Sequence, residues 1–364
     1  MKTALKAARF SARLLWHRPK GWWRVLVNQA AAFLRSTYVP ALPVHISIEP
    51  AAVCDMGCPV CETGAGILGR PQGVMSLEVF KRVIDRIHAH THTLFLYFMG
   101  EPFLNKHLYE MIRYAKDHDI FVSTCTNGHF VDAEQTVASG LDELSFQIGG
   151  VTQKIHEIYR VRGRLQRQLD NLHALVSEKK RLGTRHPWIQ VGFIVMRHNE
   201  HQVDDFLRLA REWGVDEAQV INPCVRNIAQ TRQFLTRDER YWFYDKRAFE
   251  EHGILKPKVV PNNRCWWIWH SALIIWDGTV VPCCRDAKAT FALGNVLEED
   301  FRQIWNGPRY REFRRQVLTN QRAVPICTLC SSYPVPDLNV NRQFVSLTVV
   351  TKAGDKHVGT PAAR

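Results

Sequence analysis

The segment Cys54-Asp55-Met56-Gly57-Cys58-Pro59-Val60-Cys61 places three thiols within eight residues of loop. Thiolates at this spacing converge on one inorganic centre, and three of them leave the fourth iron of a cubane cluster without a protein ligand. An open iron is a place for chemistry. Zinc is the rival occupant, because three thiolates plus one further ligand make a common structural site. A second group follows near the C-terminus: Cys265, Cys283, and the pair Cys327 and Cys330 with two residues between them. Four thiolates can close a site, and spacing alone assigns that site equally to structural zinc or to an iron–sulfur cluster.

These residues need elements to hold them. Val44 to Ile48, Leu94 to Phe98, Phe121 to Cys125, Glu143 to Gln147, Ile189 to Met196 and Ala218 to Ile221 read as strands. Helical periodicity covers Leu77 to Ala89, Leu108 to Lys116 and the stretches near 132–139, 166–182 and 202–213. Six βα units predict a right-handed parallel sheet, open or curled into part of a barrel. In such folds chemistry sits at the carboxyl ends of the strands. Cys54 follows the first strand, Gly100-Glu101-Pro102 the second, Thr126-Asn127-Gly128 the third and Asn222-Pro223-Cys224 the sixth. Farther on, Ile274 to Val281 alternates as a β-ribbon with Asp277-Gly278 at its tip.

C-x3-C-x2-C after a first strand, followed by six βα units, resembles the radical S-adenosylmethionine (SAM) superfamily over residues 44–335. The resemblance implies a partial (β/α)6 TIM-like barrel and a [4Fe–4S] cluster on Cys54, Cys58 and Cys61. S-adenosylmethionine would chelate the open iron, and its reductive cleavage would yield a 5′-deoxyadenosyl radical for hydrogen abstraction. Phe98-Met99-Gly100-Glu101-Pro102 is similar to the family's Gly-Gly-Glu-Pro, which implies that Gly100 and Glu101 receive the cofactor's ammonium. Ser145 stands where the family contacts ribose or the methionyl carboxylate. Arg160 resembles the arginine that pairs with that carboxylate, with Arg162 as the alternative holder of the role. Asn127 matches the end of the family's third strand. Three positions depart from the pattern: Met99 replaces a glycine, Val60 an aromatic or larger apolar residue beside the adenine, and Gln147 the common aspartate.

Cys265 through Cys330, with Leu293-Gly294-Asn295-Val296 and Ile304-Trp305-Asn306, resembles the SPASM extension or its shorter twitch relative. That implies one auxiliary [4Fe–4S] cluster on Cys265, Cys283, Cys327 and Cys330. It would accept an electron from a substrate radical or support the substrate-binding wall. Cys224 and Cys284 are left over, as hydrogen-atom donors, ligands or plain thiols, and Cys125 reads as core.

The chain thus divides into a basic extension over 1–40, the barrel over 41–223, a connecting region over 224–262, a cysteine-rich α+β SPASM/twitch-like domain over 263–338 and a tail over 339–364. At 364 residues, 46% apolar and 23% charged, it has the makings of a globular α/β protein with a substantial core. Cysteines in short clusters favour metal binding over disulfides, hence a reducing, cytoplasmic setting. A net charge of +13 suits an anionic partner or serves solubility alone. At the N-terminus Lys2, Lys6, Arg9, Arg13 and His17 share one helical face, and Leu5, Ala8, Ala12 and Leu15 another. With Trp16, Trp22 and Trp23 beyond it, such a helix lies at the inner face of a membrane or packs on its own domain. Neither a transmembrane span nor an export signal is expected.

A short N-terminal region without room for a winged-helix peptide-recognition domain tilts the expected substrate toward a small molecule, sugar or lipid-linked compound. A SPASM-type maturase acting on a peptide or protein is the alternative within the family, and a zinc-bearing nucleic-acid-binding protein is the alternative outside it. The radical reading implies a reducing partner such as flavodoxin or ferredoxin and makes nucleic acid an unexpected partner.

Overall fold

A computed structural model describes residues 21–258, 262–328 and 330, with the backbone of two short strands at Val349–Thr351 and Lys356–His357. The expected helix over Lys2 to His17 lies outside the described residues. The chain forms two compact units. The first holds residues 1–53, 68–123 and 261–338, and the second 54–67, 124–260 and 339–364.

In the first unit, helix α1 (Trp22–Phe33) precedes strand β1 (His45–Ile48), helix α2 (Leu77–Ile87), strand β2 (Thr93–Phe95) and helix α3 (Leu108–Asp117). Strand β3 (Phe121–Thr126) begins in this unit and ends in the second. β1 pairs in parallel with β2, and β2 with β3, in the register His45 to Thr93 and Thr93 to Phe121. Ile46, Ile48, Leu94 and Val122 have no exposed surface, as expected for parallel strands covered on both faces. α2 begins where Ser76 Oγ accepts from the Val79 N–H at 3.2 Å, a cap worth about 1 kcal/mol. Its buried residues Phe80, Val83, Ile84 and Ile87 recur at helical spacing and turn one apolar face to the core.

The C-terminal segment joins the same sheet. After helix α4 (Trp267–His270), strand β4 (Ser271–Ile274) runs parallel to β1, with His45 opposite Ser271 and Ile48 opposite Ile274. β5 (Thr279–Val281) turns back against β4, and β6 (Gly294–Asn295) against β5. The expected ribbon is present, with Gly278 at φ +88° in its turn, a conformation that favours glycine. Helices α5 (Phe301–Asn306) and α6 (Pro308–Asn320) follow. Between them the Arg314 guanidinium is buried 4.2 Å from the rings of both Trp305 and Tyr310.

Several imidazoles sit at the amino ends of these strands. His45 opens β1, His92 precedes β2 and His270 precedes β4; these and His90 are all at most 2% exposed. The His270 ring stacks on Trp266 with centroids 3.7 Å apart and planes 8° from parallel. His90 Nδ1 lies 2.7 Å from the Pro43 carbonyl, to which it donates as the neutral tautomer.

The second unit continues with helix α7 (Ala133–Ala138), strand β7 (Glu143–Ile148), helices α8 (Gln153–Tyr159) and α9 (Leu165–Arg181), strand β8 (Trp188–Ile194), helix α10 (Val203–Glu212) and strand β9 (Glu217–Ile221). β7, β8 and β9 are parallel neighbours in chain order. A buried pair, Lys179 to Asp216, joins α9 to the start of β9, and Asp216 also accepts from the Ile189 N–H of β8 at 2.8 Å. The stretch over 224–262, expected as a connecting region, contains helices α11 (Ile228–Phe234) and α12 (Lys246–His252). Asn227 and Asp245 cap their amino ends, and Gly253 ends α12 at φ +64°. Strands of the expected α/β type, alternating with helices, are therefore present in both units.

Candidate active site

The three-thiol loop belongs wholly to the second unit. Pro59 sits within a tight turn, closed by the Cys61 N–H donating to the Cys58 carbonyl at 3.1 Å. Gly64 approaches this turn so closely that a Cβ there would stand 2.5 Å from the Cys58 nitrogen. The Gly57 N–H donates to the Val161 carbonyl at 3.0 Å, tying the loop to the segment after α8. Below it Met56, Cys58, Val60, Tyr159, Met196 and Phe234 form one buried apolar cluster.

Donors surround the sulfurs. The Met56 N–H donates to Cys54 Sγ at 3.4 Å, Asn127 Nδ2 approaches the same sulfur at 3.9 Å, and Arg160 Nη1 reaches Cys58 Sγ at 3.7 Å. Burial opposes the Arg160 charge, yet Cys58, Tyr159 and Cys61 together hold its pKa above the ordinary value. Its Nε is buried without a hydrogen-bond partner among the described residues. Burial also raises the Cys61 thiol. A half-buried set of three thiols, with a guanidinium against one of them and an orphaned N–H beside it, fits an anionic sulfur-ligated group.

Sequence reasoning passed over the residue inside the loop. Asp55 Oδ1 accepts from Asn127 Nδ2 at 2.6 Å, and its Oδ2 lies 2.7 Å from His129 Nδ1. His129 Nε2 accepts from the Arg164 N–H at 2.9 Å, so the ring's proton is on Nδ1 and is donated to Asp55. Burial works to raise the Asp55 carboxyl, but the bonds from His129 and Asn127 hold it below the usual range. The signal was an aspartate between two cysteines and a histidine two places after Asn127.

The remaining expected residues are placed as follows. In the first unit Gly100 has φ +88°, and a Cβ there would meet the Ala51 and Val53 carbonyls at 2.5 and 2.6 Å. Glu101 is 2% exposed; its N–H donates to the Val53 carbonyl at 2.8 Å and its carboxylate accepts from the Phe103 N–H at 3.1 Å. In the second unit Ser145 Oγ, on β7, accepts from Gln147 Nε2 at 2.8 Å. Arg162 is exposed at φ +68°.

The first unit also carries a charged pair that was not foreseen. Glu49, directly after β1 and wholly buried, accepts from Arg70 Nη2 at 2.6 Å, from the Met99 N–H at 3.2 Å and from the Trp276 N–H at 3.4 Å. Burial raises its pKa against the pull of Arg70. Arg70 Nε in turn donates to the Ala287 carbonyl at 2.7 Å, four residues beyond Cys283.

The second cysteine group is brought together within that unit. Burial, then Cys330 and Cys327, push Cys265 up to about 12; burial, then Cys284, Cys265 and Cys330, push Cys283 well up; burial and then Cys330 push Cys327 up to about 12. The Cys330 N–H donates to the Cys327 carbonyl at 3.2 Å, closing the C-x2-C turn. Cys284 is exposed, apart from its neighbour's burial. Among the described residues no three thiol, imidazole or carboxylate groups converge closely enough to grip one lone metal ion.

Comparison with known proteins assigns the two cysteine groups to two separate family matches. Residues 48–210 match the radical SAM superfamily, and residues 265–331 match the SPASM iron-sulfur cluster-binding domain. The chain is 23% identical over 321 residues to the tungsten-containing aldehyde ferredoxin oxidoreductase cofactor-modifying protein of Pyrococcus furiosus, covering 79% of this chain and 87% of that protein. It is 24% identical over 308 residues to the AdoMet-dependent heme synthase of Methanosarcina barkeri, covering 75% of this chain and 85% of that one. Among solved structures, Streptococcus suis SuiB bound to precursor peptide SuiA aligns with a TM-score of 0.57 at 13% identity, over 79% of this chain and 70% of SuiB. That last likeness is one of fold.

Proposed function

The chain belongs to the radical SAM superfamily and carries a SPASM domain, and from that premise we propose that it generates a substrate radical by hydrogen abstraction from a small molecule of cofactor type. The observation that carries the reading is the three-thiol loop with Arg160 on Cys58 and with Asp55 held by Asn127 and His129. Cys54, Cys58 and Cys61 would hold the [4Fe–4S] cluster, and Cys265, Cys283, Cys327 and Cys330 the auxiliary one. Once reduced by an external one-electron donor, the first cluster would supply the electron that cleaves S-adenosylmethionine to methionine and a 5′-deoxyadenosyl radical.

The chain's own residues bind and orient. The Met56 N–H and the Arg160 guanidinium offset negative charge on the sulfurs of Cys54 and Cys58. The Asp55 carboxylate, held ionised by His129 and Asn127, fixes the loop against the end of β3. Gly100, Glu101, Asn127, Ser145 and Arg160 are the proposed partners of S-adenosylmethionine. The names of the Pyrococcus and Methanosarcina relatives, a cofactor-modifying protein and a heme synthase, support the small-molecule class. A second reading, peptide maturation, draws support from the likeness to SuiB, which was solved with a precursor peptide.

Anaerobic reconstitution tests the reading. The expected result is about eight irons per chain from two cubane clusters, with release of 5′-deoxyadenosine that depends on S-adenosylmethionine and is abolished in Cys58→Ala. About four irons removes the auxiliary cluster, and bound zinc without iron overturns the whole proposal. Deuterated tetrapyrrole and peptide substrates then separate the two classes by which transfers its label to 5′-deoxyadenosine.

A further inference from the structure

Helix α1 faces outward with its apolar side. Trp22, Trp23, Leu26, Phe33 and the capping Leu34 are 51, 46, 56, 84 and 73% exposed, and Ala30 lies exposed among them. At about 100° per residue, Trp22, Leu26 and Phe33 fall within roughly 40° of one another, with Trp23, Ala30 and Leu34 alongside. The inward side holds Asn28 and Ala31, with Asn28 Nδ2 donating to the Leu42 carbonyl at 3.3 Å. The one exposed polar side chain on the outward face, Gln29, is engaged by the indole N–H of Trp266 at 3.0 Å. A surface helix of a globular domain has the opposite polarity, and a contiguous exposed apolar row of this kind marks a surface that something covers.

Charge identifies the cover. Residues 1–48 contain Lys2, Lys6, Arg9, Arg13, Arg18, Lys20, Arg24 and Arg35, and neither aspartate nor glutamate. Eight positive charges and no negative ones make this segment the source of eight of the chain's net +13. The Arg24 guanidinium lies 4.9 Å over the Trp23 ring, an aromatic and a cation side by side. Indoles and aliphatic side chains on one helical face, adjoining in sequence a segment rich in lysine and arginine, are the composition of a segment that lies in the headgroup layer of an anionic bilayer. None of the described helices is long and apolar enough to cross a membrane.

We propose that α1 is a membrane-docking helix that seats Trp22, Trp23, Leu26, Phe33 and Leu34 in the interface of an anionic phospholipid bilayer, with the basic residues on the headgroups. A second copy of this chain or a nucleic acid would meet only half of this pattern. A second copy carries the same positive charge, and a nucleic acid offers no apolar bed for Phe33 and Leu34. The proposal stands independently of the substrate class.

The test is flotation of the reconstituted full-length holoenzyme with vesicles of pure phosphatidylcholine and of phosphatidylcholine with 30% phosphatidylglycerol, the last figure being roughly the anionic share that gives a useful surface potential. Expected is partition into the anionic vesicles at least about ten-fold above the neutral ones, falling with added salt. Trp23→Ser/Phe33→Ser/Leu34→Ser and, separately, Lys2→Glu/Lys6→Glu should each cut that partition about ten-fold or more. All five positions lie outside the catalytic machinery, so 5′-deoxyadenosine release should not change in either variant. Equal partition into both vesicles, no partition into either, or binding indifferent to both variants overturns the proposal. So does a lipid-free dimer that the Ser variant dissolves, which would assign the face to a second copy.

Discussion

Acid should destabilise the first unit through its buried imidazoles. Burial holds His45 and His90 at about 3 and His270 at about 2, with His92 adding to the effect on His45 and His45 to that on His270. In the unfolded chain each titrates near 6.5. A depressed histidine pKa means that the unfolded chain binds more protons, so stability is complete above about 6.5 and is lost as pH falls below it. From pH 7.5 to 5.5 each site forfeits about 1.4 kcal/mol and the three together about 4 kcal/mol, a large share of a typical 5–15 kcal/mol total. Glu49 works the other way: burial raises its pKa, so the folded chain takes up its proton earlier and opposes part of this loss. Urea unfolding of the holoenzyme under anaerobic conditions, followed by tryptophan fluorescence at pH 7.5, 6.5 and 5.5, reads the slope directly. Below about pH 6.5 the slope should correspond to roughly two to three protons. His270→Phe keeps a ring stacked on Trp266 and should remove about one of them. A slope below about one proton, or one untouched by His270→Phe, refutes the reasoning.

Gly100→Ala should lower thermal stability and S-adenosylmethionine cleavage together, because the new Cβ is strained at φ +88° and meets two carbonyls; thermal unfolding and 5′-deoxyadenosine release measure the two losses. Arg70→Met strands Glu49 as a buried charge and should cost about 3–5 kcal/mol in urea unfolding. The double change Arg70→Met/Glu49→Gln should recover part of that cost, and strict additivity would show that the pair is not coupled. In the second unit Lys179→Met does the same to Asp216 and should lower stability by about 3–5 kcal/mol in urea unfolding.

Strand periodicity was legible because parallel strands covered on both faces must be apolar, and Ile46, Ile48, Leu94 and Val122 are. The thiol loop was legible for a different reason, since ligand spacing is local in sequence. The partners of that loop were not. Asp55 to His129 and Glu49 to Arg70 join residues 74 and 21 positions apart, and a single charged residue in a loop carries no periodicity to announce a buried partner. Helices α11 and α12 were read as connection because each has only seven residues, too short for an apolar stripe to repeat. Their caps, Asn227, Asp245 and Gly253, were the available signal. The histidine group was invisible for want of any motif: its members are gathered only because β2, β1 and β4 lie side by side.

The parallel pairing of β4 with β1 has a consequence for how this chain can be cut and recombined. Were translation or proteolysis to end the chain before Cys265, β1 would lose its four-residue partner and show a bare row of N–H and C=O groups flanked by Ile46 and Ile48. An unprotected apolar edge is a template for indiscriminate association. The cysteine-rich segment is thus a selvedge for the sheet as well as a cluster holder, and transplanting the first unit into a chimera without it should yield aggregates.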